Sequence, residues 1–134
     1  MIERLLIVVL LSVVGVVIYR LWTQRQLQQV AAQRHTDPIL QSLLPGVPAI
    51  IYFTTPMCLP CKTQQQPVLQ RLQSEFGEML QVVQIDATQD PDAADRWGVM
   101  SAPTTFVLNP DGYPKAVNHG VADETKLKQQ LTAA

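Results

Sequence analysis

Cysteine is scarce in this chain: only two of its 134 residues are cysteines. Two thiols cannot build the framework of several disulfides that holds many small secreted domains together. They are also too few for a four-thiolate zinc site, and His35 and His119 lack the short spacing of a site with two cysteine and two histidine ligands. We therefore expect neither a disulfide scaffold nor a bound metal.

An excess of charge of one sign is also lacking. Ten Lys and Arg residues oppose eleven Asp and Glu residues, and the formal net charge is −1 at pH 7. Without a basic patch, nucleic acid is not an expected partner. The chain has no internal repeat, its glutamines are scattered rather than gathered in a tract, and its length is that of one domain.

What the chain does have is a long uncharged apolar run over residues 5–19. The run is short for a membrane span, but Ile2, Leu21 and Trp22 extend it, and Tyr19 and Trp22 suit a membrane–water interface. A cleaved signal peptide is the alternative. Because the start is only weakly basic and no small-x-small cleavage site follows directly, we favour an uncleaved anchor.

This run divides the chain into three parts. Residues 1–22 are predicted to form the membrane anchor, residues 23–36 a polar stalk that could continue the same helix, and residues 37–134 the folded domain. The basic residues near the span are unevenly placed, with Arg4 before it and three after it: Arg20, Arg25 and Arg34. The positive-inside rule therefore favours a cytoplasmic domain on a single-pass protein.

Apolar spacing after residue 36 predicts the order helix, strand, helix, strand, helix, strand, strand, helix. The predicted helices cover residues 38–44, 61–76 with a kink at Pro67, 90–97, and a last segment capped by Asp123. The first of these helices is expected to bury Ile39, Leu40, Leu43 and Leu44. The predicted strands cover residues 48–54, 80–85, 103–108 and 115–118. Strand–helix–strand units imply parallel pairing, and the turn over residues 109–112 adds an antiparallel hairpin. The fold class is therefore α/β, a central mixed sheet flanked by helices.

The two cysteines occur together as Cys58-Leu59-Pro60-Cys61, between the apolar strand and the helix that follows it. A thiol at a helix start faces unpaired N–H groups and the positive end of the helix dipole, which stabilise its thiolate. We therefore expect Cys58 to be reactive and able to form a reversible disulfide with Cys61. Two inert buried cysteines are the alternative, but that alternative does not explain why the chain's only two cysteines have this spacing.

Three tracts carry a resemblance to the thioredoxin family: IYFTTPMCLPCK at residues 51–62, SAPTTF at 101–106 and NHG at 118–120. The resemblance implies a thioredoxin-like fold from about Asp37 onward and a cis Ala102–Pro103 bond facing the cysteines. It also implies a substrate groove beside them. The residues assigned to this groove are Leu59, Pro60, Ala102, Pro103, Thr104, His119 and Gly120.

The chain also departs from the family pattern near the cysteines. Tyr52 stands where thioredoxins carry a buried aspartate, and Val82 stands where they carry its lysine partner. The helix is one residue longer between Cys61 and Pro67. Since a nearby negative charge disfavours a thiolate, its loss predicts a more oxidising dithiol pair than in ordinary thioredoxins.

The resemblance and the apolar N-terminal run together predict a membrane-tethered thiol–disulfide oxidoreductase in a bacterial plasma membrane, and we expect a monomer because nothing in the sequence indicates an oligomer. Its partners would be protein dithiols and disulfides, and it would need no cofactor beyond the Cys58–Cys61 disulfide. One alternative is a peptide-docking module whose cysteines sense redox state; another is a metal carrier that uses Cys58, Cys61 and His119. His119 itself could contact the thiolate or the substrate, or be an exposed loop histidine.

Overall fold

A computed structural model of the chain describes residues 1–33 and 36–132, so Arg34 and His35, which entered the expectations above, lie outside the described residues. The elements are helix α1 (Ile2–Ala32), helix α2 (Pro38–Gln41), strand β1 (Ala49–Thr54), a π-helical segment (Cys61–Gln65), helix α3 (Gln66–Phe76), a 3₁₀ turn (Gly77–Met79), strand β2 (Gln81–Asp86), helix α4 (Pro91–Arg96), strand β3 (Thr104–Leu108), strand β4 (Pro114–His119) and helix α5 (Glu124–Thr132). The predicted element order is confirmed.

The four strands form one mixed sheet in the order β2-β1-β3-β4. β1 is parallel to β2 and antiparallel to β3, and β3 and β4 form the predicted hairpin. In this register Phe53 lies opposite Thr104, and Thr104 lies opposite His119. The end of β1, the start of β3 and the end of β4 therefore meet at one edge of the sheet. We call this the cysteine edge and define it by Thr54, Thr104 and His119.

The core has two layers, one on each face of the sheet. Every residue of β1 is buried, as expected for a central strand. Successive side chains of a strand point to opposite faces, so Ile50 and Tyr52 lie in the layer that contains both cysteines. Ile51 and Phe53 lie in the other layer, around Trp97.

The predicted helix over residues 61–76 is divided in two. Cys61–Gln65 is π-helical, and the Gln66 N–H donates to the carbonyl of Cys61, five residues earlier. This wider turn accommodates the extra residue noted in the sequence. Pro67 then lies in the first turn of α3, directly after this segment, where it supplies no N–H to the carbonyls of the preceding turn. The predicted apolar face of α3 is buried at Val68, Leu69 and Leu72.

Helix α1 is the one described helix that is long and apolar enough to cross a membrane, by length and composition. It continues into the predicted stalk as far as Ala32. Near its C-terminal end it also packs against the domain, because Gln26 and Val30 are buried and Val30 belongs to the Trp97 layer. The structure therefore adds part of the predicted stalk to the core of the domain.

The expectation for Leu44 is wrong. The predicted helix over 38–44 was to bury this residue, but α2 ends at Gln41 and the Leu44 side chain is 63% exposed. Leu44 precedes Pro45, which disfavours a helical conformation at Leu44. Gln81 also holds the Leu44 backbone, because its Oε1 accepts from the N–H and its Nε2 donates to the carbonyl, each at 2.9 Å. With its backbone held against β2, Leu44 turns its side chain outward.

Candidate active site

Cys58 and Cys61 are joined by a disulfide directly after the buried strand β1. Their Cα atoms are 5.3 Å apart. Cys61 is fully buried, whereas Cys58 is 8% exposed and is the sulfur nearer to solvent. The Cys61 N–H donates to Cys58 Sγ at 3.2 Å, so an amide already points at the sulfur that would carry the negative charge. Of the two residues, only Cys58 thus keeps some exposure to solvent.

Three exposed apolar side chains are close in sequence to Cys58 or to the cis-proline loop. Met57 is 94% exposed, Leu59 is 68% exposed, and Met100, two residues before Ala102, is 84% exposed. Pro60 also faces solvent and takes a helical conformation, which starts the turn that carries Cys61 inward. We call Met57, Leu59 and Met100 the apolar rim.

The Ala102–Pro103 peptide bond is cis, as the resemblance implies. The Gly120 N–H donates to the Pro103 carbonyl at 2.9 Å, which joins this loop to the end of β4. Gly120 has a φ of +92°, a conformation that favours glycine. Thr104 is fully buried and its hydroxyl donates to the Ser101 carbonyl at 2.6 Å, so its side chain does not face solvent.

His119 ends β4 at the cysteine edge and is half-buried under α1. The Trp22 ring stacks on it with centroids 4.9 Å apart, and Tyr19 meets it edge-on at 6.3 Å. The expectation of an exposed loop histidine is therefore wrong. Burial lowers the pKa of His119 below its ordinary value. Its buried Nε2 has no hydrogen-bond partner among residues 1–33 and 36–132.

A comparison with protein families matches residues 26–133 to the thioredoxin family model. This chain belongs to the thioredoxin family. Among similar proteins, thioredoxin of Bacillus subtilis is 45% identical over 77 residues, which are 58% of this chain and 72% of the relative. A thioredoxin-like protein of Synechocystis is 33% identical over 84 residues, or 63% of this chain and 78% of the relative. The solved thioredoxin of Fasciola hepatica superposes with a TM-score of 0.58 at 27% identity, covering 66% of this chain and 81% of that one.

The match to the thioredoxin family and the Cys58–Cys61 disulfide together identify this protein as a thiol–disulfide oxidoreductase. Thioredoxins act on protein disulfides through a redox-active disulfide and use no external cofactor. In the part of the chain that the structure describes, no three His, Cys, Asp or Glu side chains gather closely enough to hold a metal ion. The metal-carrier alternative therefore gains no support from the geometry.

Gln65 is a residue of this site that the sequence did not reveal. It is fully buried in the π-helical segment. Its Oε1 accepts from the Ala122 N–H at 2.8 Å, and its Nε2 donates to the Ala122 carbonyl at 3.1 Å. These bonds tie the cysteine helix to the segment that follows Gly120. The extra residue between Cys61 and Pro67 was the one signal in the sequence.

Tyr52 takes the place of the family's buried aspartate in this thioredoxin. It is buried in the same layer as both cysteines, and its hydroxyl has no hydrogen-bond partner among the described residues. Beside it is a cavity of about 200 Å³. The cavity is lined by Tyr52, Val82, Gln84, Gln66, Leu69, Gln70 and Gln73. The lining of this cavity thus carries amides and a phenol but no carboxylate.

Proposed function

We propose that this protein is a membrane-tethered thiol–disulfide oxidoreductase in which Cys58 is the nucleophile and Cys61 the resolving cysteine. The observation that carries this assignment is the asymmetry of the pair. Cys58 is partly exposed, and its sulfur accepts a hydrogen bond from the Cys61 N–H at a helix start. Cys61, in contrast, is fully buried. A substrate sulfur can therefore approach Cys58 and not Cys61.

In the reducing direction the Cys58 thiolate attacks one sulfur of a substrate disulfide. A mixed disulfide forms, and the departing substrate thiolate takes up a proton. Cys61 then loses its proton, its sulfur attacks Cys58 Sγ, and the second substrate thiol leaves. The substrate gains two electrons and two protons, and the Cys58–Cys61 disulfide forms. Oxidation of a substrate dithiol is the same sequence reversed.

We propose that the substrate lies along the groove beside the cysteines. The hydrogen bond between Gly120 and Pro103 supports this, because it places the cis-proline loop against the end of β4. Side chains of the apolar rim would add contact area. The proposed groove residues are Leu59, Pro60, Ala102, Pro103, Thr104, His119 and Gly120.

The tether is α1, and residues 1–22 act in this proposal as an uncleaved anchor for a monomer in the bacterial plasma membrane. Large apolar side chains along this part of α1 are exposed, and their combined surface exceeds what soluble proteins usually leave in water. Arg20 and Arg25 follow the apolar run and favour a cytoplasmic domain.

The test is disulfide turnover by the full chain in detergent, with insulin as the protein disulfide. The wild type should reduce insulin repeatedly when a small dithiol resupplies electrons. Cys58→Ser should abolish turnover, and Cys61→Ser should accumulate a mixed disulfide through Cys58. A Cys58→Ser variant as active as the wild type would overturn the assignment. Binding of insulin without any turnover by the wild type would replace the enzyme with the docking module.

A further inference from the structure

Three side chains of α1 meet the domain at four-residue intervals and so lie on one face of the helix. Val30 packs in the core layer around Trp97. Gln26 donates through Nε2 to the carbonyls of Trp97 and Gly98, both at 2.9 Å. Trp22 stacks on His119 at the cysteine edge. From Val30 to Trp22 the helix therefore runs from the interior of the domain to the cysteine edge, a rise of about 12 Å at about 1.5 Å per residue.

Tyr19, on the N-terminal side of Trp22, also contacts His119. Toward the N-terminus from Tyr19 the apolar side chains of α1 are exposed; Ile18, Leu11 and Leu6 are examples. The helix thus leaves the domain at the end that carries the cysteines. If it left at the opposite end, Trp22 could not contact the last residue of β4.

This exit point fixes which end of the domain faces the membrane. In the proposed function residues 1–22 cross the bilayer, so Tyr19 and Trp22 lie at the membrane–water interface. Both rings contact His119, which places the cysteine edge at the same height. Met57 and Leu59 of the apolar rim flank Cys58 in the chain, so they lie on the same side of the domain as the cysteines. An apolar surface suits a location beside lipid or a membrane partner.

We propose that the cysteine edge faces the membrane surface and that its substrate is an integral membrane protein whose exchanging cysteine pair lies at the membrane–water interface. This inference rests on the proposed function and uses the same exchange. A reduced Cys58–Cys61 pair transfers two electrons and two protons to the partner disulfide and becomes the disulfide itself. Partners that present cysteines far above the membrane surface are disfavoured because the domain holds its dithiol toward the bilayer.

The test uses the full chain, reduced beforehand, in lipid nanodiscs. The probes are two transmembrane peptides that carry the same Cys-Gly-Ser-Cys disulfide ring. In one the ring directly follows the apolar helix, and in the other a rigid helical spacer of about 20 residues raises it about 30 Å above the lipid. A soluble peptide with the same ring measures the chemistry without the membrane.

We expect the membrane-proximal ring to be reduced at least about tenfold faster than the raised ring, because orientation increases its effective concentration at Cys58. A flexible Gly-Ser insertion of twelve residues between Arg20 and Leu21 is the matched control. It keeps Trp22, Gln26 and Val30 with the domain but frees the domain from the span, so the rate ratio should fall at least about threefold.

Equal rates for the two rings, or a faster raised ring, would overturn this inference while reduction of the soluble peptide leaves the proposed function standing. An insertion variant that keeps the full rate ratio would also overturn it, because tethering alone would then explain the preference. Failure to reduce any of the three peptides would instead refute the proposed function.

Discussion

Trp22 and His119 are distant in sequence, yet their rings stack at 4.9 Å and determine the surroundings of the imidazole. Burial of His119 lowers its pKa, so the folded protein favours the neutral ring. A neutral imidazole places no positive charge beside the cysteines near pH 7. At that pH we expect His119 to act by packing, against the rings of α1 on one side and toward the proposed groove on the other.

We predict that His119 titrates below the ordinary histidine value of 6.5 and that Trp22→Ala raises its pKa toward that value. The reason is that removing the indole exposes the imidazole to water. Titration of the histidine ring signals by NMR, in the full chain in detergent, measures both values. Leu21→Ala, a neighbouring exposed position, should leave the pKa unchanged. If the His119 pKa is the same in the wild type and in Trp22→Ala, burial by the indole is not the reason for the lowered pKa.

The lowered pKa has a definite effect on stability. The unfolded chain binds a proton at His119 more readily than the folded chain does. The stability that depends on a neutral His119 is therefore fully present above about pH 6.5. The contribution declines as the pH falls from there toward the folded pKa.

Tyr52 is the second residue that distinguishes this protein from the usual thioredoxin pattern. Among the described residues its phenol has no hydrogen-bond partner, and the cavity beside it is lined by amides without a carboxylate. A nearby carboxylate would oppose a thiolate in the reduced pair. Its absence should stabilise the reduced form and make the pair more oxidising, as expected from the sequence alone.

At the scale of elements, the π-helical segment and Gln65 connect the cysteine helix to the rest of the site. One extra residue widens the turn at Cys61, and the buried Gln65 amide binds both backbone groups of Ala122. The segment after Gly120 therefore depends on one side chain from the helix that carries Cys61.

We predict that Gln65→Ala lowers the free energy of unfolding by about 2–4 kcal/mol, because it leaves the buried N–H and carbonyl of Ala122 without their partner, at about 1–3 kcal/mol for each group. Gln64→Ala is the matched control, since Gln64 is the exposed neighbour in the same segment and should change little. Denaturant unfolding of both oxidised variants, followed by fluorescence of the buried Trp97, compares them. Equal losses in the two variants would show that the segment, and not the Gln65 amide, determines stability.

The elements themselves could be predicted because their signals are local. Asp90 and Asp123 cap helices through bonds to Ala93 and Lys126, and Gly112 closes the hairpin turn with a hydrogen bond to Asn109. The cysteine pair followed from its spacing between a strand and a helix, and the cis proline followed from the family resemblance. Leu44 was assigned wrongly because its exposure depends on Gln81, a contact across the fold that apolar spacing does not encode.

At the scale of the whole molecule, the sequence predicted the anchor and the stalk but not how they meet the domain. The Trp22–His119 stack and the Gln26 bonds to Trp97 and Gly98 depend on the direction in which α1 crosses the domain. The local sequence pattern of α1 does not predict the direction in which the helix crosses the domain. A fragment that begins at Asp37 would lack Gln26 and Val30, so the redox properties of the protein belong to the full chain.

The reduction potential of the Cys58–Cys61 pair tests the central claim most directly. It is measured on the full chain in detergent, equilibrated in glutathione buffers and trapped by alkylation of free thiols. We predict a reversible two-electron couple with a potential less negative than about −270 mV, the value typical of thioredoxin. A pair that shows no reversible dithiol–disulfide couple would contradict the assignment of Cys58 and Cys61 as the working centre of this protein.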